Sequence, residues 1–143
     1  MEEWKPARAL IVGAGPGLSA SLARAFSRTG MKVSLAARNI DKLGDLRAET
    51  GAEAFTCDAG EPEQVKALFA ALDSGPGEPD VVVYNPSYRV RGALVDLDPA
   101  DVEKTLRVSA YGGFLVGQEA ARRMLPKRRG VILFTGASAS VKG

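Results

Sequence analysis

Val12-Gly13-Ala14-Gly15-Pro16-Gly17-Leu18-Ser19 is the stretch on which the fold turns. It follows an apolar run, Ala7–Val12, and precedes a segment with Leu18, Leu22, Ala25 and Phe26 at helical spacing that stops at Gly30. A strand that passes through glycines into an amphipathic helix is the pattern of a phosphate loop. The backbone turns sharply there, and its N–H groups meet a diphosphate at the positive end of the helix dipole. Gly13, Gly15, Pro16, Gly17 and Leu18 are therefore candidate binding residues, and the main-chain amides of residues 13–18 are expected to grip a diphosphate bridge. The spacing Gly-x-Gly-x-x-Gly would need a glycine at position 18. What fits is Gly-x-x-x-Gly, with Gly13 and Gly17 followed by an apolar residue.

Outward from the loop, Lys32–Ala37, Glu53–Asp58, Asp80–Tyr84 and Val131–Thr135 are short apolar runs bounded by Gly, Pro, Asp or Asn. Such runs are expected of strands buried on both faces. Helical patterns separate them. Asp41–Thr50 turns Leu43 and Leu46 inward, with Gly44 weakening its interior. The next opens at Glu61-Pro62, carries Val65, Leu68, Phe69 and Leu72 on one face, and stops near Gly75. Asp98-Pro99 then supplies an N-cap and first-turn pair for a long helix, bent around Ser109–Gly113, that runs to Leu125 and stops before Pro126. This alternation predicts an α/β fold: a Rossmann-like, doubly wound parallel sheet of five strands in the order 3-2-1-4-5, with helices on both faces.

Composition narrows the chemistry. The 143 residues include no histidine, which removes Ser-His-Asp and Cys-His nucleophiles and any His-bearing zinc site; no metal site is expected. Nineteen basic against seventeen acidic side chains, interspersed, give no footprint for nucleic acid. Lys127, Arg128 and Arg129 read as a solvated turn after a helix. Cys57 is the single cysteine, so no intrachain disulfide forms and a reducing, cytoplasmic setting is expected. The first apolar run is broken by Gly13 too early to span a bilayer, so no membrane association is expected either.

The loop spacing resembles the short-chain dehydrogenase/reductase family, whose loop reads Thr-Gly-x-x-x-Gly-x-Gly; Val12 and Ser19 depart from it. An NAD site places a carboxylate at the end of the second strand, but here Arg38-Asn39 follows it. A guanidinium there can pair with the 2′-phosphate of NADP, a contact worth about 1.5–3 kcal/mol, so NADP (NADPH) is the expected cofactor. Asp58 and Ala59 resemble the family's element beside the adenine ring, and Asn85, Pro86 and Ser87 fall on its Asn-Asn-Ala-Gly element, with Tyr84 a departure.

The resemblance implies hydride transfer between the nicotinamide and a small carbonyl or alcohol substrate. It also implies a relay of Tyr, Lys, Ser and Asn. Ser109 stands at the asparagine position; the catalytic serine falls on Ala137 or, with a one-residue shift, on Ser138. Tyr-x-x-x-Lys does not occur. Residues 1–143 are thus expected to form a single NADP-binding domain, the N-terminal part of a longer chain, with the C-terminal part of the fold absent. A non-catalytic nucleotide-binding regulatory or scaffold protein is the alternative. Phe114, Gln118, Ala121 and Leu125 on one face of the long helix resemble the family's dimer-forming helix, which implies a homo-oligomer, dimer or tetramer.

Overall fold

In the computed structural model, which describes residues 3–142, the chain alternates strand and helix from the start. The strands are β1 (Arg8–Val12), β2 (Lys32–Ala37), β3 (Glu53–Thr56), β4 (Val81–Tyr84) and β5 (Val131–Phe134). The helices are α1 (Leu18–Arg28), α2 (Gly44–Thr50), α3 (Pro62–Ser74), α4 (Pro99–Leu106) and α5 (Gly112–Lys127). All strands are parallel, in the order β3-β2-β1-β4-β5, as the alternation predicts. Val12 lies level with Ala36 on one side and Tyr84 on the other, so the strand ends that carry the loops reach one edge together.

Alternate residues of each strand serve opposite faces. Leu10, Val12, Val82 and Tyr84 pack with Val65, Phe69 and Leu72 of α3 and Val116 and Ala120 of α5. Ala9, Ile11, Val81 and Val83 pack with Ala20 and Ala23 of α1 and Leu46 of α2. The central runs are apolar at every position because both faces are covered. At the strand starts, Asp80 gathers three strands: its Oδ2 accepts from Ala7 N (2.7 Å) and Arg8 N (3.0 Å), its amide donates to Arg8 O, and its carbonyl accepts from Val131 N.

Several local expectations are corrected. The buried side of α1 is Ser19, Ala20 and Ala23, not the bulkier stripe; Leu18 is 53% exposed, and Leu22 and Phe26 are half-buried at the flank. Small residues let the helix axis come close to the sheet. Gly44 is not interior but joins a 3₁₀ turn, Asp41–Leu43, to α2. The bend in the long helix is a π-helical turn, Arg107–Tyr111, between α4 and α5. Helix α5 continues through Pro126 to Lys127, because a proline one residue from the end removes few helical hydrogen bonds, and Arg128 closes it at φ +53°. Lys127 is not merely solvated: its Nζ pairs with Glu78. Among the described residues no helix is long and apolar enough to cross a membrane, and no group of three or more Cys, Asp or Glu could hold a metal ion.

Candidate functional site

Between the neighbouring strands β1 and β4 the strand order reverses direction, and a crevice opens beyond the strand ends, as is usual in open α/β sheets. Its volume is about 550 Å³. Of the residues predicted from sequence, Gly13, Arg38, Asn39, Asp58, Ala59, Asn85, Pro86 and Ser87 line it. Gly15, Pro16, Gly17 and Leu18 are not on its wall; they follow Ala14, which is, in the chain. Ser109 faces a separate apolar groove with Phe114 and Phe134, and Ser138 lies in an exposed single turn, Ser138–Ser140. Sequence reasoning missed Val12, Ala37, Cys57, Tyr88 and Val108 as lining residues. Cys57 and Tyr88 adjoin strand-end motifs and could have been found from them. Val108 comes from the π-helical turn, and no sequence signal brings it there.

The phosphate loop uses most of its amides internally. Gly13 N and Ala14 N both donate to Ala36 O, at 2.9 and 3.0 Å, and Gly15 N donates to Ser19 Oγ at 2.8 Å. Pro16 has no N–H. Among the described residues of the stretch 13–18, Gly17 and Leu18 keep free amides, joined by Ser19 and Ala20 in the first turn of α1. That helix opens with no side-chain cap and no acidic residue in its first turn, so its positive end is uncompensated. A Cβ built at Gly15 or Gly17 would meet no atom within 4 Å, which leaves the outer side of the loop open. Free amides, an uncapped helix start and room outside the loop are the donor set and space that a diphosphate requires. The Ser19 side chain, 2% exposed as a residue, turns inward and does not block this approach.

Gly13 is fixed by its surroundings. Its φ is +82°, and a Cβ there would stand 2.5 Å from Pro86 N, so the loop after β4 braces the loop after β1. At the end of β2, Arg38 is exposed and its guanidinium has no partner among the described residues. Asn39 Oδ1 accepts from Asp41 N (3.0 Å), and Asp58 Oδ1 accepts from Gly60 N (2.9 Å). The strand ends are tied largely through the backbone: Asn85 N donates to Val12 O, and Thr135 donates to Tyr84 O through both its amide and its hydroxyl.

The protonation states follow from burial and neighbours. Burial, with Asp58 adjacent, pushes the Cys57 thiol up to about 11, so it remains a thiol at neutral pH and is no nucleophile. Burial, with Asp58 and Cys57 nearby, pushes the Tyr84 phenol up to about 12, and its hydroxyl donates to Val108 O. Tyr88 donates to Asp101 Oδ1 at 3.0 Å, which raises its pKa as well, and Lys104 Nζ sits 4.3 Å from the ring centre. Ser109 Oγ accepts from Tyr88 N and donates to Tyr88 O, both at 3.2 Å. A phenol used as a base needs its pKa lowered toward neutrality, and both Tyr84 and Tyr88 are shifted the other way. What these residues assemble is a binding crevice.

The family model described as short chain dehydrogenase matches residues 7–143. The chain belongs to the short-chain dehydrogenase family. It is an oxidoreductase family that uses nicotinamide cofactors. The (21S)-21-acetoxyl-apo-melianone synthase of Melia azedarach is 33% identical over 135 residues, covering 91% of this chain and 49% of that protein. A short-chain type dehydrogenase/reductase from Mycobacterium marinum superposes with a TM-score of 0.89 at 28% identity, over 94% of this chain and 57% of its own. An actinorhodin polyketide ketoreductase solved with NADPH does so with a TM-score of 0.89 at 26% identity, over 96% and 55%. The chain thus spans about half the length of the relatives it matches.

Proposed function

We propose that residues 1–143 form the NADP(H)-binding domain of a short-chain oxidoreductase acting on a small carbonyl or alcohol. The observation that carries the reading is that the unpaired Arg38 guanidinium at the end of β2 shares a crevice with Gly13 and Ala14, and that these lead directly into the free amides of residues 17–20 at the start of α1. When bound, the nicotinamide coenzyme would carry the hydride. The residues of this chain would hold it: the start of α1 the diphosphate, Arg38 with Asn39 the 2′-phosphate, Asp58 and Ala59 the adenine side, and Asn85 to Ser87 the crevice floor. Solution of the ketoreductase neighbour with NADPH supports the choice of NADP over NAD.

Calorimetric titration of NADPH and NADH tests this. Wild type should prefer NADPH, and Arg38→Ala should lose about ten- to hundredfold in NADPH affinity with little change for NADH. Equal affinities before mutation would overturn the choice of NADP, and absence of both would overturn the coenzyme reading. We also propose a homo-oligomer through α5, where Phe114 is 58% and Leu125 74% exposed; light scattering on the same samples should return a dimer or tetramer, and a monomer would refute it.

The second reading, a nucleotide-binding regulatory or scaffold protein, is favoured by serine in place of asparagine at position 109 and by the engagement of Ser109 with the Tyr88 backbone. NADPH oxidation by the full-length parent with a panel of small carbonyls separates the two. Turnover supports the enzyme, and tight binding without turnover supports the alternative.

A further inference from the structure

The serine at position 19 makes a reciprocal pair of hydrogen bonds with one residue of the loop before it. Ser19 Oγ accepts from Gly15 N at 2.8 Å and donates to Gly15 O at 3.2 Å. The hydroxyl does this from inside the protein, where Ser19 is 2% exposed, so it has no ready exchange with solvent. The segment it holds is one that should otherwise be loose: Gly13, Gly15 and Gly17 fall within five residues, and no atom of the protein lies within 4 Å of where a Cβ would stand at Gly15 or Gly17. Glycine backbones lose the most freedom on ordering. At its beginning the loop is held by Ala36 O and by Pro86 against Gly13; at its middle, among the described residues, the hydrogen bonds of Gly15 are those with Ser19.

We propose that Ser19 is a positioning residue for coenzyme binding: its hydroxyl latches Gly15, withdraws that amide from the ligand, and so presents the free amides of residues 17–20 as one preformed diphosphate cradle. The inference rests on the coenzyme reading above and adds to it which donors the ligand meets. The diphosphate finds Gly17, Leu18, Ser19 and Ala20 N–H groups, while the Gly15 N–H stays bonded to the serine with and without coenzyme. Serine in place of glycine at this point is then an active part of the loop. It orders the loop before binding, and a preformed loop has less freedom to lose when ligand arrives.

The test joins hydrogen exchange and calorimetry on the same protein. In wild type without coenzyme, the Gly15 amide should exchange at least about tenfold more slowly than an unstructured peptide, and NADPH should leave its hydrogen bond in place. Ser19→Ala should free that amide to exchange and weaken NADPH about three- to tenfold, with a larger entropic penalty and nearly unchanged melting temperature. Ser19→Gly should do the same.

A Gly15 amide that exchanges freely in wild type overturns the latch without any variant, and this holds even if both variants fail to fold. Unchanged or tighter NADPH binding in a folded Ser19→Ala protein overturns the positioning role. If wild type takes up no NADPH, the coenzyme reading and the role of Ser19 fall together; if it binds and the variants bind equally, only Ser19's role does.

Discussion

Strands β1 and β5 are written in the same alphabet and live in different surroundings. Leu10 in β1 is 0% exposed, whereas Leu133 in β5 is 47% exposed, although each sits within a short apolar run. Covered on both faces, β1 lies between two strands; β5 has β4 on one side only, and large apolar side chains of α5 and β5 stand open beside it. The accessible surface of 8966 Å² exceeds the roughly 7,000 Å² expected of a monomer of this mass. The difference teaches that an apolar run records how completely a strand is meant to be covered, while its place in the sheet decides what covers it here. The crevice belongs to the covered half, which is why its loops are held so closely.

The sharpest way to break this contrast is the same substitution in both strands. Leu10→Ala should cost about 2–5 kcal/mol in denaturant unfolding and Leu133→Ala less than about 1 kcal/mol; equal losses would show that the β5 face is covered in solution. Next in size, Gly13→Ala forces a side chain onto a φ of +82° and against Pro86, at about 2–4 kcal/mol. A fall of roughly 10 °C in melting temperature with loss of NADPH uptake is expected, and an unaltered melting curve would mean that the two loops are not braced.

The smallest effect lies at the seam between the halves, where Arg123 of α5 bonds both oxygens of Asp73 on α3. That guanidinium holds the Asp73 carboxyl below its usual range. The pair's contribution is therefore complete above the ordinary value of 3.8 and fades as pH falls through the lower folded-state value. Asp73→Asn should lose about 1 kcal/mol or less at neutral pH, and urea melts of the two proteins should converge in strong acid; a gap that persists there would assign the loss to something other than the charge.

Much of this was legible in the sequence. The five strands, their order and the loop after β1 followed from apolar runs, glycines and alternation, because those patterns are local and strongly constrained. The inward face of α1 was not, since hydrophobicity alone favours Leu18 over Ala20 and Ala23, while the spacing between helix and sheet favours the small residues. Nor was the use of the loop amides: which of residues 13–18 are free depends on Ala36 O and Ser19 Oγ, one distant in sequence and the other read only as a departure from a motif. Val108 reaches the crevice through a π-helical turn whose geometry no periodicity encodes.

Asp80 closes the strand starts at the end of the sheet opposite the crevice, drawing β1, β4 and β5 together through one carboxylate and two backbone groups. Part of the sheet's rigidity is therefore anchored away from where a ligand is met. Substitutions at that rim can tune heat resistance without touching the loops on the other.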